Sequence, residues 1–244
     1  MALLTDKVSL ITGAAAGIGQ SIARLFANEG AHVFLLDIDG PGVAKVASET
    51  GGEAFTADVR RRGDIAPAVD AAIRRFGRID ILVNNAGVYP RQNFLDMTEE
   101  QWDAIQEINL KSVFHCTKLV LPHMVAAGAG KIVNVSSVTF LSGYRNLTHY
   151  VASKGGIIGF SRALAREIGE HNVHVNCVTP GSIQVEAEKA VSTPEQIAGA
   201  IASQCLNRRL QPIDVARVCL FLASELSDGV TGQIVNVDGG RVMW

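Results

Sequence analysis

The sequence predicts an α/β fold, a single doubly wound domain whose parallel sheet of about seven strands is covered by helices on both faces. Three observations predict it. Short apolar, β-rich runs alternate with amphipathic helical patterns along the whole chain. The first of those runs ends in a glycine-rich turn that opens a helix. The residues with chemistry to offer, Gly13, Asp37, Asp58, Asn85, Ser137 and Pro180, each fall at or just past the carboxyl end of an expected strand. That is where an open parallel sheet places its ligand crevice.

Taken in order, strands are expected near 7–12, 31–36, 53–57, 79–84, 131–136, 173–178 and 233–237. Helices are expected near 17–29, 40–49, 63–76, 98–127, 149–170 and 212–224. Right-handed crossovers between parallel strands then place helices on both faces. No repeat or low-complexity tract interrupts the pattern, so residues 1–244 read as one catalytic domain. Residues 182–210 differ in character. Ser192-Thr193-Pro194-Glu195 opens a short helix with a good N-cap, and the stretch before it has no strand period. This segment reads as a mobile lid over a substrate.

The glycine turn is Gly13-Ala14-Ala15-Ala16-Gly17-Ile18-Gly19, spaced G-x-x-x-G-x-G. Strand, glycine turn and helix together aim free backbone N–H groups and a helix dipole at a phosphate, as in a Rossmann-type dinucleotide site. The next strand ends at Asp37, where a carboxylate can accept hydrogen bonds from adenosine ribose hydroxyls. A 2′-phosphate facing that carboxylate would be a like-charge contact, and residues 13–19 contain no Arg or Lys to offset it. NAD is therefore expected rather than NADP.

Tyr150 and Lys154 lie four apart, on one face of an expected helix, thirteen residues after Ser137. A neighbouring ammonium favours phenolate, so the pair is expected to lower the tyrosine's pKa and suit it to acid–base work.

With these residues placed, the chain resembles the short-chain dehydrogenase/reductase family over essentially its whole length. The matching motifs are Thr12-Gly13-x-x-x-Gly17-Ile18-Gly19, Asp58-Val59, Asn84-Asn85-Ala86-Gly87, Asn109, Ser136-Ser137, Tyr150-x-x-x-Lys154, Pro180-Gly181 and Val237-Asp238-Gly239-Gly240. The resemblance implies that Asp58 and Val59 contact the adenine, and that Asn85 and Gly87 line the cofactor. It implies that Asn109 holds a water in a proton relay, Ser137 orients the carbonyl or hydroxyl, and Tyr150 is the general acid/base. Lys154 would bind the nicotinamide ribose and lower the Tyr150 pKa, and Ile183 would meet the carboxamide through its backbone. Two positions depart from the family pattern: Val185 stands where a threonine is frequent, and Leu210 where a glycine is.

The reading is an NAD-dependent oxidoreductase for a small secondary, cyclic or aromatic alcohol or ketone. Candidate substrate residues are Ser137, Thr139, Tyr144 and Gln184, with Val88, Tyr89, Phe140 and Val185 as further walls. No Arg or Lys follows Ser137 before Arg145, so a doubly charged substrate is not expected. One rival is an NADPH-dependent 3-oxoacyl-carrier-protein reductase. The resemblance would then call for two carrier-docking arginines, and those places hold Gly128 and His171. A rival of another class is a non-catalytic NAD-binding regulator; such relatives lose the Tyr or the Lys, and this chain has both. The family also implies a homotetramer, built on the helices near 98–127 and 149–170 and the last strand. The apolar end Val242-Met243-Trp244 fits burial in such an assembly.

Bulk composition narrows the partners. With 24 acidic against 22 basic residues there is no basic surplus for nucleic acid. Arg60-Arg61-Arg62 reads as a solvated corner. The four cysteines form no C-x-x-C pair and suit a reducing cytoplasm. The start of the chain does not read as a signal peptide, and no apolar run reaches membrane-spanning length. His171 and His174 have no third ligand near in sequence, so no metal is expected. His149 is a candidate for the pocket wall or for the surface.

Overall fold

The computed structural model describes residues 2–186, 188 and 192–243. Ala187 and residues 189–191 of the expected lid, and Trp244 of the apolar tail, lie outside the described residues. Seven strands form one parallel sheet: β1 (Val8–Thr12), β2 (His32–Asp37), β3 (Glu53–Thr56), β4 (Ile81–Asn84), β5 (Gly130–Val135), β6 (Val173–Pro180) and β7 (Ile234–Val237). Their order is β3-β2-β1-β4-β5-β6-β7, so the chain reverses direction between β1 and β4. That reversal opens the crevice at the strands' carboxyl ends.

The strands are apolar on both faces because both are covered. Leu10 is in register with Phe34 and with Leu82. All three pack with α3 (Arg62–Phe76) and α5 (Ser112–Ala127). The alternate residues Ile11, Leu35 and Val83 face the other way, against α1 (Gly17–Asn28), α2 (Gly40–Thr50) and α9 (Pro212–Ala223). A third apolar cluster, around Val113, Ile157, Ile158 and Cys177, joins α5, α7 (Thr148–Ile168) and β6.

The helix expected over 98–127 is two helices. α4 (Glu99–Gln106), started by a capping box on Thr98 and Gln101, runs into a π-helical turn at Glu107–Lys111 before α5 begins. Asn109 sits inside that turn, fully buried. A one-turn α6 (Thr139–Ser142), not foreseen, follows β5. The short helix expected after Ser192 is present as α8 (Pro194–Ala202), capped by Thr193 and Gln196.

Candidate active site

The carboxyl ends of β1 and β4 are tied together. The Thr12 hydroxyl accepts hydrogen bonds from the Asn85 and Ala86 amides, each 3.1 Å away. The Asn85 side chain donates to the Thr12 and Gly13 carbonyls at 3.0 Å. This clamp leaves no room for a side chain on the glycine turn. A Cβ on Gly13, where φ is +67°, would lie 2.8 Å from Ala86 Cα, and one on Gly19 would lie 2.0 Å from the Gly13 carbonyl oxygen. The Asp37 carboxylate accepts from the Ala15 amide at 2.9 Å and the Asp39 amide at 3.0 Å, which fixes it beside the turn. Each carboxylate oxygen keeps a further lone pair for a ligand.

A cavity of about 630 Å³ runs from this turn across the sheet. Its walls include Gly13, Gly17, Ile18, Asp37, Asp58, Val59, Asn85, Gly87, Ser137, Thr139, Tyr144, Tyr150, Lys154, Pro180, Gly181 and Ile183. The sequence had assigned all of these to the site. Four expected residues do not line it. Phe140 packs against the apolar cluster of Val113, Ile157, Ile158 and Cys177. Gly19 packs against Gly13 and serves the close approach of helix to strand. Gln184 is exposed and accepts from the Gln211 side chain, so it is no substrate wall. Asn109 instead grips the loop after β4. Its amide nitrogen donates to the Val88 carbonyl and the Ser153 hydroxyl, and its oxygen accepts from the Val88 amide.

Lys154 is buried, and its ammonium donates to the Val135 carbonyl at 2.8 Å. Burial pulls its pKa down to about 8. The ammonium lies 5.8 Å from the centre of the Tyr150 ring. Burial of the phenol pushes Tyr150 up to about 12, against the opposing pull of the Ser137 hydroxyl. The expected lowering of the Tyr150 pKa by Lys154 is therefore overturned in the cofactor-free chain. Desolvation raises the phenol, and the opposing pull comes from Ser137 rather than from the ammonium. Ser137 in turn accepts from the Thr139 amide and hydroxyl, at 3.2 and 3.0 Å. Tyr89 stacks obliquely on Tyr150 with ring centres 5.9 Å apart.

His149 is neither wall nor surface. It is buried, and its Nδ1 accepts the Tyr150 amide at 2.9 Å, satisfying an N–H of the first turn of α7, where no side-chain cap is present. The basic corner is also paired. Arg60 clamps Asp58 through both carboxylate oxygens, holding that carboxyl below its usual range, and Arg61 pairs with Asp64. The guanidinium on the adenine wall is thus committed to Asp58 and does not offset Asp37.

The structure adds residues that sequence reasoning missed. Arg91, Glu186, Glu188 and Arg241 also line the cavity. Glu188 forms an ion pair with Arg209 and accepts from Ser182, which joins the lid segment to the stretch before α9. A backbone bridge between Ile183 and Leu210 reinforces that junction. Their contributions come from loops far apart in sequence, and no local pattern marks them. Among the described residues no group of His, Cys, Asp and Glu could hold a metal, and no helix is long and apolar enough to cross a membrane.

A dinucleotide cradle on a doubly wound sheet, with a Ser, Tyr and Lys at its inner end, defines a nicotinamide-dependent oxidoreductase site. A family model described as "Enoyl-(Acyl carrier protein) reductase" matches residues 13–241. The chain is 41% identical to the 3-oxoacyl-(acyl-carrier-protein) reductase FabG of Thermotoga maritima, over 98% of this chain and 99% of that one. It is 41% identical to the oxidoreductase UcpA of Salmonella typhimurium, over 100% and 97%. A solved 7α-hydroxysteroid dehydrogenase, complexed with NADH and 7-oxo glycochenodeoxycholic acid, superposes with a TM-score of 0.93 at 37% identity. That match covers 99% of this chain and 96% of the other. The chain belongs to the short-chain dehydrogenase/reductase family, oxidoreductases that act on CH–OH groups with a nicotinamide cofactor.

Proposed function

We propose that this chain interconverts a ketone and a secondary alcohol with NADH as the preferred cofactor, working at neutral pH as a reductase. The observation that carries the reading is that Ser137, Tyr150 and Lys154 converge in the same cavity as the glycine cradle. Burial keeps the phenol protonated at neutral pH, so it has a proton to give to a carbonyl oxygen. Ser137 would hold that oxygen as charge develops on it, and Tyr150 would protonate it. Lys154 would hold the ribose and pass a proton inward, while Asn109 keeps the adjoining loop in place. Gly13, Gly17 and Ile18 would meet the pyrophosphate, Asp58 and Val59 the adenine, and Asp37 the adenosine ribose. Bound there, the nicotinamide supplies the hydride.

Two substrate readings have support. The FabG relatives favour a 3-oxoacyl group on an acyl carrier, and they give that reading more weight than the residues alone did. Gly128 and His171, where carrier-docking arginines would be expected, and the Asp37 carboxylate weigh against the NADPH-dependent form of it. Small secondary, cyclic or aromatic alcohols are the second reading. The likeness to a hydroxysteroid dehydrogenase and the aromatic wall of Tyr89 and Tyr144 support it.

The test is cofactor oxidation, with NADH and NADPH in parallel, on a 3-oxoacyl thioester and a panel of cyclic and aromatic ketones. Turnover with NADH that Tyr150→Phe abolishes, leaving NADH binding intact, is expected. Turnover with NADPH only would mean Asp37 is misassigned, and binding without turnover of any substrate would favour the regulator. We further propose that residues 182–210 form a lid, that the chain forms a homotetramer, and that it is cytoplasmic. Phe114 on α5, half exposed, supports the second and the free cysteines the third. A monomeric mass by sedimentation would sink the tetramer.

A further inference from the structure

We propose that Arg241 forms an anion-binding subsite at the substrate end of the cavity, so that the substrate carries a carboxylate or phosphate besides the carbonyl that reacts. This inference rests on the reading above and deepens it.

Arg241 lines the cavity and has no carboxylate partner among the described residues. It follows β7, four strands from β1 in the sheet. At about 4.8 Å per strand, β7 itself stands roughly 19 Å from β1, the strand that carries the glycine turn. The surroundings of Arg241 are the segment after β6 and the lid. The Gly181 amide donates to the Val237 carbonyl, and the Cys205 and Leu206 amides donate to the Gly239 carbonyl.

The turn that presents Arg241 is a built one. Asp238, buried, accepts from the Gly240 amide at 3.0 Å and from the Val242 amide at 2.8 Å, so it brackets Arg241 on both sides. The Asn236 side chain donates to the Val242 carbonyl at 3.1 Å. Gly239 and Gly240 have φ of +71° and +78°, which bends the chain where a residue with a side chain would be strained. A turn fixed in this way loses little side-chain and backbone freedom when a ligand binds.

Two carboxylates, Glu186 and Glu188, share the cavity wall with Arg241. Glu188 is taken up by Arg209 and Ser182. A second guanidinium, Arg91, stacks 5.1 Å from the centre of the Tyr144 ring on the facing wall. Arg241 therefore offers a planar cation suited to a carboxylate or phosphate. Arg91 precedes Ser137 and Arg241 lies far beyond it, so neither falls in the stretch between Ser137 and Arg145.

The test compares wild type, Arg241→Gln and Arg241→Lys on two matched pairs of substrates. Acetoacetate is set against ethyl acetoacetate, and acetoacetyl-coenzyme A against the N-acetylcysteamine thioester of the same acyl group. Arg241→Gln is expected to lower kcat/KM at least ~10-fold for the anionic member of one pair and to leave its neutral partner within about twofold. Arg241→Lys should recover part of that loss. An effect confined to acetoacetate identifies a carboxylate, and one confined to the coenzyme A thioester a phosphate. Equal effects on both members of both pairs overturn the proposal.

A binding arm separates this from the reductase reading. Calorimetry of acetoacetate and of acetoacetyl-coenzyme A is run on the cofactor-free chain. Binding of either one that Arg241→Gln abolishes, without turnover, would keep the subsite and sink the reaction. No binding and no turnover of either anion overturns the subsite.

Discussion

Gly87 and Lys154 approach so closely that a methyl group on Gly87 would lie 3.2 Å from the Lys154 ammonium and 3.1 Å from the Asn109 amide oxygen. Neither neighbour can yield without straining a hydrogen bond. The ammonium is held by the Val135 carbonyl, and Asn109 by both polar groups of the Val88 backbone. Gly87→Ala is therefore expected to displace Lys154 by a fraction of an ångström. The change should lower kcat roughly 10-fold or more while moving the thermal midpoint only slightly. Steady-state kinetics together with a melting curve check it, and unchanged kcat would show that the ammonium's position is not critical.

The pH dependence of reduction should be set by Lys154 rather than Tyr150. Burial pulls Lys154 down to about 8 and pushes Tyr150 up to about 12. The ammonium is intact below about 8 and lost above it, so kcat/KM for ketone reduction should fall as pH rises through that value. A limb appearing only near 10 or above would reassign it.

The same lowering has a stability sign. A folded-state pKa near 8 against an unfolded value near 10.5 means the folded chain binds fewer protons between them. Stability contributed by this group therefore rises from about pH 8 to 10.5, by up to roughly 3 kcal/mol. Denaturant midpoints at pH 7.5 and 10, compared with those of Lys154→Met, should reveal this. Parallel pH trends in the two proteins would refute it.

Cofactor choice should follow Asp37. Asp37→Ser removes the charge facing a 2′-phosphate and is expected to shift the NADPH to NADH ratio of kcat/KM by at least ~10-fold toward NADPH. A ratio that does not move would place the discrimination elsewhere on the adenine wall, for instance at Arg60.

Glycines that look alike in sequence should differ sharply. A Cβ on Gly19 would collide with the Gly13 carbonyl, whereas one on Gly63, in the first turn of α3, meets nothing within 4 Å. Gly19→Ala should cost several degrees of melting temperature and most of the cofactor affinity, and Gly63→Ala should be neutral or stabilising. Similar behaviour of the two would contradict the clamp between β1 and β4.

The fold was legible because each strand is an apolar run between turn residues, and because the site residues repeat one relationship to those strand ends. Asp37, Asn85 and Ser137 could be placed from that rule alone. Arg91, Glu188 and Arg241 could not. They reach the cavity from three separate loops, and loop geometry has no period to read. Gln184 was misplaced for the same reason, since its exposure depends on how Leu210 and Gln211 pack against it. The Tyr150 pKa was misjudged because sequence spacing shows the nearby cation but not the desolvation that outweighs it. His149 was undecided because its partner is a backbone amide, which no residue pattern encodes.

The π-helical turn at Glu107–Lys111 has a consequence for how this chain can vary. It amounts to one residue more than a continuous α-helix would use between α4 and α5. Deleting a single residue there would make the helix more regular. The flanking helices would keep their faces, so Cys116, Val120 and Met124 would stay in the core. What the deletion removes is the wide turn that carries Asn109, and with it the grip on both polar groups of the Val88 backbone. A length change that any alignment would score as trivial would, at this point, spare the core and cost the site.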